Sequence, residues 1–142
     1  MAILQRDRIL SALQQRDIII ESTDPRLPFN MAEQVKSDTI DLRLGKRALV
    51  YKSSIGCVDT LASDADTLFD TISIPIDGYQ LKPGNILFCS TLEVVCIANG
   101  SLQGRLSNRG TYSRFGISVN CGKLRFPAGT PGTPDIQISN HT

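Results

Sequence analysis

From residue 39 onward the sequence is cut into short segments in which apolar or β-branched residues alternate with polar ones: "TIDLRLG", "RALVYK", "TISIPI", "NILFCSTLEVVCIA", "GISV" and "DIQIS". A period of two puts neighbouring side chains on opposite faces of a pleated strand, so these segments are predicted to be strands. The breaks between them carry turn chemistry. Pro83-Gly84 favours a β-turn, and the tail from Pro127 holds three prolines and two glycines in nine residues, which gives turns rather than a helix. Many short strands joined by turns imply a barrel or a sandwich. Ahead of this β body, Ile3, Leu4, Ile9, Leu10 and Leu13 recur at helical spacing among charged and amide residues, predicting an amphipathic helix over 4–16 that caps a core. "DIIIES" then predicts a short strand stopped by "DPRLP", and the segment 52–70, without a clean period, reads as an excursion between strands. At 142 residues and 41% hydrophobic, with no internal repeat, one domain over 1–142 is expected.

Fifteen basic residues against fourteen acidic leave a net charge of +1. No broad positive field therefore draws in DNA, RNA or an anionic membrane, and any anion site must be built locally. Apolar runs such as "ILF" at 86–88 and "VVCIA" at 94–98 are far short of a membrane span, and charges interrupt the N-terminal "MAILQRDRILSAL", so a soluble, cytoplasmic protein is expected. Cys57, Cys89, Cys96 and Cys121 are separated by 31, 6 and 24 residues and form no CxxC pair. Cys89 and Cys96 lie in apolar runs, where a reduced cysteine behaves as a small hydrophobe. The only histidine is His141. A zinc deaminase site needs H-x-E and P-C-x-x-C, and neither occurs, so no zinc is expected.

The stretch "LSNRGTYSRFG", residues 106–116, concentrates the polar chemistry. Glycine, asparagine and serine before Arg109 favour a turn, and "RGTYSRF" predicts a short helix near 109–115. Arg109 and Arg114 stand five apart, so they do not share a helix face. Backbone N–H groups at a helix start, the Thr111 hydroxyl and an arginine able to make bidentate contact are what a phosphate needs. A surface turn with two solvated arginines is the alternative. Tyr112 and Phe115 are expected as core or interface aromatics. Asp38 and Asp41 are expected on the polar face of an edge strand, and Lys123 as exposed charge.

The stretch resembles the G-R-S-S-L-A-R-L-G motif of the dCTP deaminase branch of the dUTPase superfamily. "LQRDRILSAL" is similar to that family's N-terminal helix, "SDTIDLRLG" to its S-x-D-L-R-L-G strand, and "YQLKPGNILFCSTLEVV" to its x-L-x-P-G-x-x-x-L-x-x-T-x-E-x-V hairpin. These motifs follow family order across nearly the whole chain. The resemblance implies a mainly β subunit, a distorted barrel or jelly-roll of the dUTPase-like type with one N-terminal helix. It also implies a homotrimer with nucleotide sites between subunits. The implied chemistry converts dCTP to dUTP, or dUTP to dUMP and pyrophosphate, with Mg2+ on the triphosphate and no zinc. Carried over by position, Arg109 and Arg114 match the two motif arginines, Thr111 the second motif serine as a phosphate donor, and Arg125 a family arginine in the following segment.

The departures fall where reaction chemistry is expected. Gln137, in "DIQISN", stands where the deaminases carry the glutamate of L-E-x-x-N, which shuttles protons as water attacks C4 of cytosine; an amide does not titrate that way. Gly110 stands on the first motif serine, whose hydroxyl helps position the water. Pro127 stands where the I-D-P-G turn has its aspartate. Asp135, two residues before Gln137, would share its strand face roughly 7 Å away, too far for simple replacement. "ISNHT" matches the family's E-x-x-N-H-T, after which the pattern continues through a further hairpin and a tail that closes over the triphosphate. The sequence ends at Thr142, so those closing strands and that lid are expected to be missing, whether the protein is naturally short or a fragment. Three functions remain open: a deoxynucleotide-binding (dCTP, dUTP or dTTP) or partner-binding homotrimer that has lost efficient catalysis; an active deaminase or diphosphatase using Asp135 or Asp41; or a structural or interaction protein, such as a viral or mobile-element product, that reuses the barrel.

Overall fold

The computed structural model describes residues 2–53, 58, 64–121, 125–126 and 128–142. In chain order its elements are α1 (Arg6–Gln14), β1 (Ile18–Ser22), α2 (Met31–Gln34), β2 (Leu44–Tyr51), α3 (Ala65–Leu68), β3 (Phe69–Ser73) and β4 (Ile86–Thr91). There follow β5 (Glu93–Ile97), β6 (Gly104–Arg105), α4 (Gly110–Arg114), β7 (Ile117–Cys121), β8 (Arg125–Phe126) and β9 (Asp135–Asn140). The fold is mainly β, with the long helix at the front, as the alternating segments and the helical stripe predict. The chain packs as two compact units.

The first unit comprises Met1–Leu44, Thr91–Leu106 and Lys123–Pro134. α1 buries Ile9 and Ala12 and half-buries Leu10 and Leu13, whereas Ile3 of the predicted stripe precedes the helix and is exposed. β1 pairs antiparallel with β5, from Ile18 opposite Ile97 to Ser22 opposite Glu93. Val95 also bridges Gly132, and Ile97 bridges Ala128, so the proline- and glycine-rich tail is tied down by isolated bridges between its turns.

Glu93 is fully buried and held by directed bonds. Its Oε1 accepts from Gln34 Nε2 at 3.0 Å and from Arg43 Nε at 2.6 Å, and its Oε2 accepts from the Arg43 backbone N–H at 2.8 Å. Arg43 Nη2 donates onward to the Leu27 and Pro28 carbonyls at 2.8 and 3.2 Å. A carboxylate is tolerated in a core only with such pairing and hydrogen bonding.

This network overturns the strand expected over "TIDLRLG". The strand begins only at Leu44, because the preceding backbone is committed elsewhere. The Asp41 N–H donates to the Gln34 carbonyl, the Arg43 N–H to Glu93, and the Arg43 carbonyl accepts from the Leu92 N–H, each at 2.8 Å. Asp38 and Asp41 therefore do not lie on an edge strand. Asp38 is exposed and accepts from Ser37 Oγ at 3.1 Å, and Asp41 lies 4.0 Å from Lys36 Nζ.

The second unit comprises Gly45–Ser90, Ser107–Gly122 and Asp135–Thr142. Its sheet runs β3-β2-β4-β9-β7, around buried Ala48, Leu87, Cys89 and Ile136. Phe69 packs against Tyr51 and Phe88 with ring centroids 4.6 and 5.2 Å apart, within the range of favourable aromatic pairs. The Pro83-Gly84 turn forms as predicted. The Asn85 N–H reaches the Lys82 carbonyl at 3.1 Å, and Gly84 takes φ +76°, the left-handed third position of a type II turn.

The long run at 85–98 is divided at Leu92 into β4, which joins β2 and β9, and β5, which joins β1. The hairpin implied by the resemblance is not a β4–β5 pairing. A single intervening residue leaves no room for the two-residue loop that the tightest common hairpins use.

Candidate functional site

The predicted short helix is present as α4, one and a half turns over Gly110–Arg114, and residues 109–115 are all exposed. Tyr112 and Phe115, at 50% and 66% exposure, are not core residues of this chain, because the short helix offers no buried face. Arg109 is the N-cap, with extended backbone (φ −73°, ψ 129°) and no side-chain cap bond; its carbonyl accepts from the Tyr112 N–H at 2.9 Å. Arg114 closes the last turn. Five residues of helix separate the arginines by roughly 7 Å along the axis and turn them to different sides, as their spacing predicts. Thr111 is exposed between them. A Cβ placed on Gly110 meets nothing within 4 Å, so a serine side chain would fit there.

Contacts that sequence reasoning passed over fasten both ends of this segment. Asn108 Nδ2 donates to Ser113 Oγ and to the Ile117 carbonyl, both at 2.8 Å. At the far end Gly116 takes φ +71°, the left-handed residue that ends many helices, and its carbonyl accepts from the His141 N–H at 2.9 Å. His141 Nε2 lies 2.8 Å from Ser118 Oγ. A cavity of about 320 Å³ opens among Asn108, Ser113, Gly116, Ile117, Ser118, Val119 and His141.

α4 leads directly into β7, and β7 pairs with β9, the strand that carries Gln137. Gln137 is half-buried in mid-strand, opposite Asn120 on β7 and Phe88 on β4, with Nε2 3.4 Å from Ser139 Oγ. Asp135 is exposed on the same strand, two residues earlier and so on the same face, opposite Ser90. The second unit therefore brings Arg109, Gly110, Thr111 and Arg114 together on one helix, and Asp135 and Gln137 together on one strand. Asp41 and Arg125 belong to the first unit, Arg125 lying in β8 opposite Arg105. Pro127 and Lys123 lie outside the described residues, as does Cys57. Cys89 is buried and free, and Cys96 and Cys121 are half-buried and free. Asn140, also in register with the family pattern, is a buried anchor: Nδ2 donates to the Leu81 carbonyl at 2.9 Å, and Oδ1 accepts from the Thr142 N–H and hydroxyl at 3.0 and 2.8 Å.

The family described as "dCTP deaminase-like" has a model that matches residues 3–142. This chain belongs to the dCTP deaminase-like family. Among curated relatives, a "dCTP deaminase, dUMP-forming" of Salinispora arenicola is 27% identical over 139 residues, covering 96% of this chain and 68% of the relative. A "dCTP deaminase" of Thermomicrobium roseum is 29% identical over 136 residues, covering 90% and 68%. The crystal structure of 2'-deoxycytidine 5'-triphosphate deaminase from Agrobacterium tumefaciens superposes with a TM-score of 0.72 at 18% identity, over 99% of this chain and 42% of that one. At that identity the likeness is one of fold. The chain spans about two thirds of the length of these sequence relatives and under half of the solved one. Among the described residues, no helix of this dCTP deaminase-like chain is long and apolar enough to cross a membrane.

Proposed function

We propose that this dCTP deaminase-like chain binds a deoxynucleotide or a protein partner as a homotrimer and has lost efficient catalysis. The observation that carries the reading is Gln137. It stands in mid-strand on β9 at the position of the family glutamate, and its amide cannot take up and release the proton that deamination moves. Gly110 adds to it: the space beside its backbone is open, so the hydroxyl is missing without a steric reason. Arg109, Thr111 and Arg114, all exposed on α4 and its N-cap, are retained, and they suit an anion's oxygens. With five residues α4 has little dipole, so the guanidiniums and the hydroxyl would carry the attraction.

Among the described residues no group of three or more His, Cys, Asp or Glu side chains is placed to hold a metal ion. Magnesium would travel on the triphosphate oxygens of the nucleotide. Calorimetric titration with dCTP, dUTP and dTTP plus magnesium tests the nucleotide half. Binding is expected, weakened about tenfold or more by Arg109→Ala through loss of a charge-assisted hydrogen bond; no binding at millimolar ligand sinks it. Product chromatography tests the catalytic half, with turnover expected only after Gln137→Glu combined with Gly110→Ser. Asp135 favours the second reading, an active deaminase or diphosphatase, because it is a titratable carboxylate on the Gln137 face. Wild-type turnover abolished by Asp135→Asn would establish that reading instead.

A further inference from the structure

α4 is too short to be stable alone and buries no residue. Something else must fix its course. Asn108 precedes the helix, and its Nδ2 ties it to Ser113 in the last turn and to Ile117 at the start of β7, both at 2.8 Å. Only the nitrogen can donate to the Ile117 carbonyl, so the chemistry fixes which way the amide points. Its Oδ1 is buried with no partner among the described residues, so the two donor bonds are what the side chain contributes here. Both ends of the Asn108–Ser113 link are departures from the G-R-S-S-L-A-R-L-G pattern. Asn108 stands on its first glycine and Ser113 on its alanine, and the two replacements meet.

We propose that Asn108 is a positioning residue: through Ser113 and Ile117 it clips α4 closed and so sets where Arg109 and Arg114 stand. The role rests on the reading of those arginines as a phosphate-holding pair. The clip pre-organises an exposed turn that would otherwise have to be ordered by the ligand, and ordering on binding lowers affinity.

Inorganic tripolyphosphate, titrated into the full chain and its variants, is the probe, read alongside hydrogen exchange of the amides at 111–116. Asn108→Ala and Ser113→Ala are each expected to weaken tripolyphosphate roughly fivefold and to speed exchange in α4 alone. The double variant should be no weaker than Asn108→Ala, because Asn108→Ala already breaks the link that Ser113→Ala removes. Ser113→Thr, which keeps the hydroxyl, should restore wild-type affinity and exchange, an outcome that a general packing defect would not give. Ser113 is exposed, so Ser113→Ala carries the test if Asn108→Ala does not fold. Tripolyphosphate binding that resists Arg109→Ala, or no binding by the wild type, overturns the phosphate reading and with it this role. Binding that Arg109→Ala abolishes while Asn108→Ala and Ser113→Ala leave affinity and exchange unchanged overturns the positioning role alone.

Discussion

Removing the Arg43 guanidinium would leave Glu93 fully buried with, among the described residues, the Gln34 amide and one backbone N–H as partners. Breaking a buried pair from one side costs about 3 kcal/mol or more. Arg43→Ala is therefore expected to lower unfolding free energy by about that amount in urea; a loss within roughly 0.5 kcal/mol, as at ordinary surface sites, would show the pair to be dispensable. The sequence marks Glu93 as part of a family strand, but its partner lies 50 residues away, beyond any local pattern. Cys89 was legible, because an apolar run around a cysteine already implies burial. Burial pushes its thiol from the usual 9.0 up to about 11, and burial raises Cys121 as well. The folded chain thus holds this proton longer than the unfolded one. The associated stability is fully present below pH 9 and is lost as pH rises through about 11. Cys89→Ala is expected to flatten the fall in denaturation midpoint between pH 9 and 11, and an unchanged slope would assign the alkaline loss to other groups.

Gly116 joins α4 to β7 at φ +71°, and a Cβ there would meet Thr142 Cγ2 at 2.7 Å. Gly116→Ala should cost about 1–2 kcal/mol from the left-handed backbone alone, plus the contact. Adding Thr142→Ser, which removes that methyl but keeps the hydroxyl bonded to Asn140, should recover only the contact part. Full recovery would mean that the backbone is not strained. Elements with a repeating pattern were readable in this way from the sequence: α1 from its apolar stripe, β9 from strict alternation, α4 from turn residues ahead of its arginines. α2 was missed although Asn30 caps it, accepting from the Ala32 N–H at 3.0 Å, because four residues are too few to show a helical period. The late start of the strand within "TIDLRLG" and the division at Leu92 were missed for the opposite reason. There the local pattern is strand-like, and the backbone bonds of distant residues decide.

With a net charge of +1, long-range attraction will not gather anions or partners, so binding by this molecule depends on what its surface presents locally. That surface shows two aromatics on the helix that also carries Arg109 and Arg114, with Tyr112 half-exposed and Phe115 at 66%. As aromatics they are expected in a core or an interface, and in the single chain both are exposed. Large apolar side chains presented together outward are ordinarily covered by a partner, which is what the proposed homotrimer would supply. Sedimentation should then give a mass near three times 15.5 kDa, and Phe115→Glu, which buries a charge if the helix is covered, should shift it toward the monomer while leaving Cys89 protected from thiol reagents. Because the arginines share the helix, the same variant should weaken tripolyphosphate as well if nucleotide sites lie between subunits. A wild-type chain that sediments as a monomer, or a trimer indifferent to Phe115→Glu, would remove the interface from α4. A trimer lost with no change in tripolyphosphate affinity would instead place the phosphate contacts within one chain.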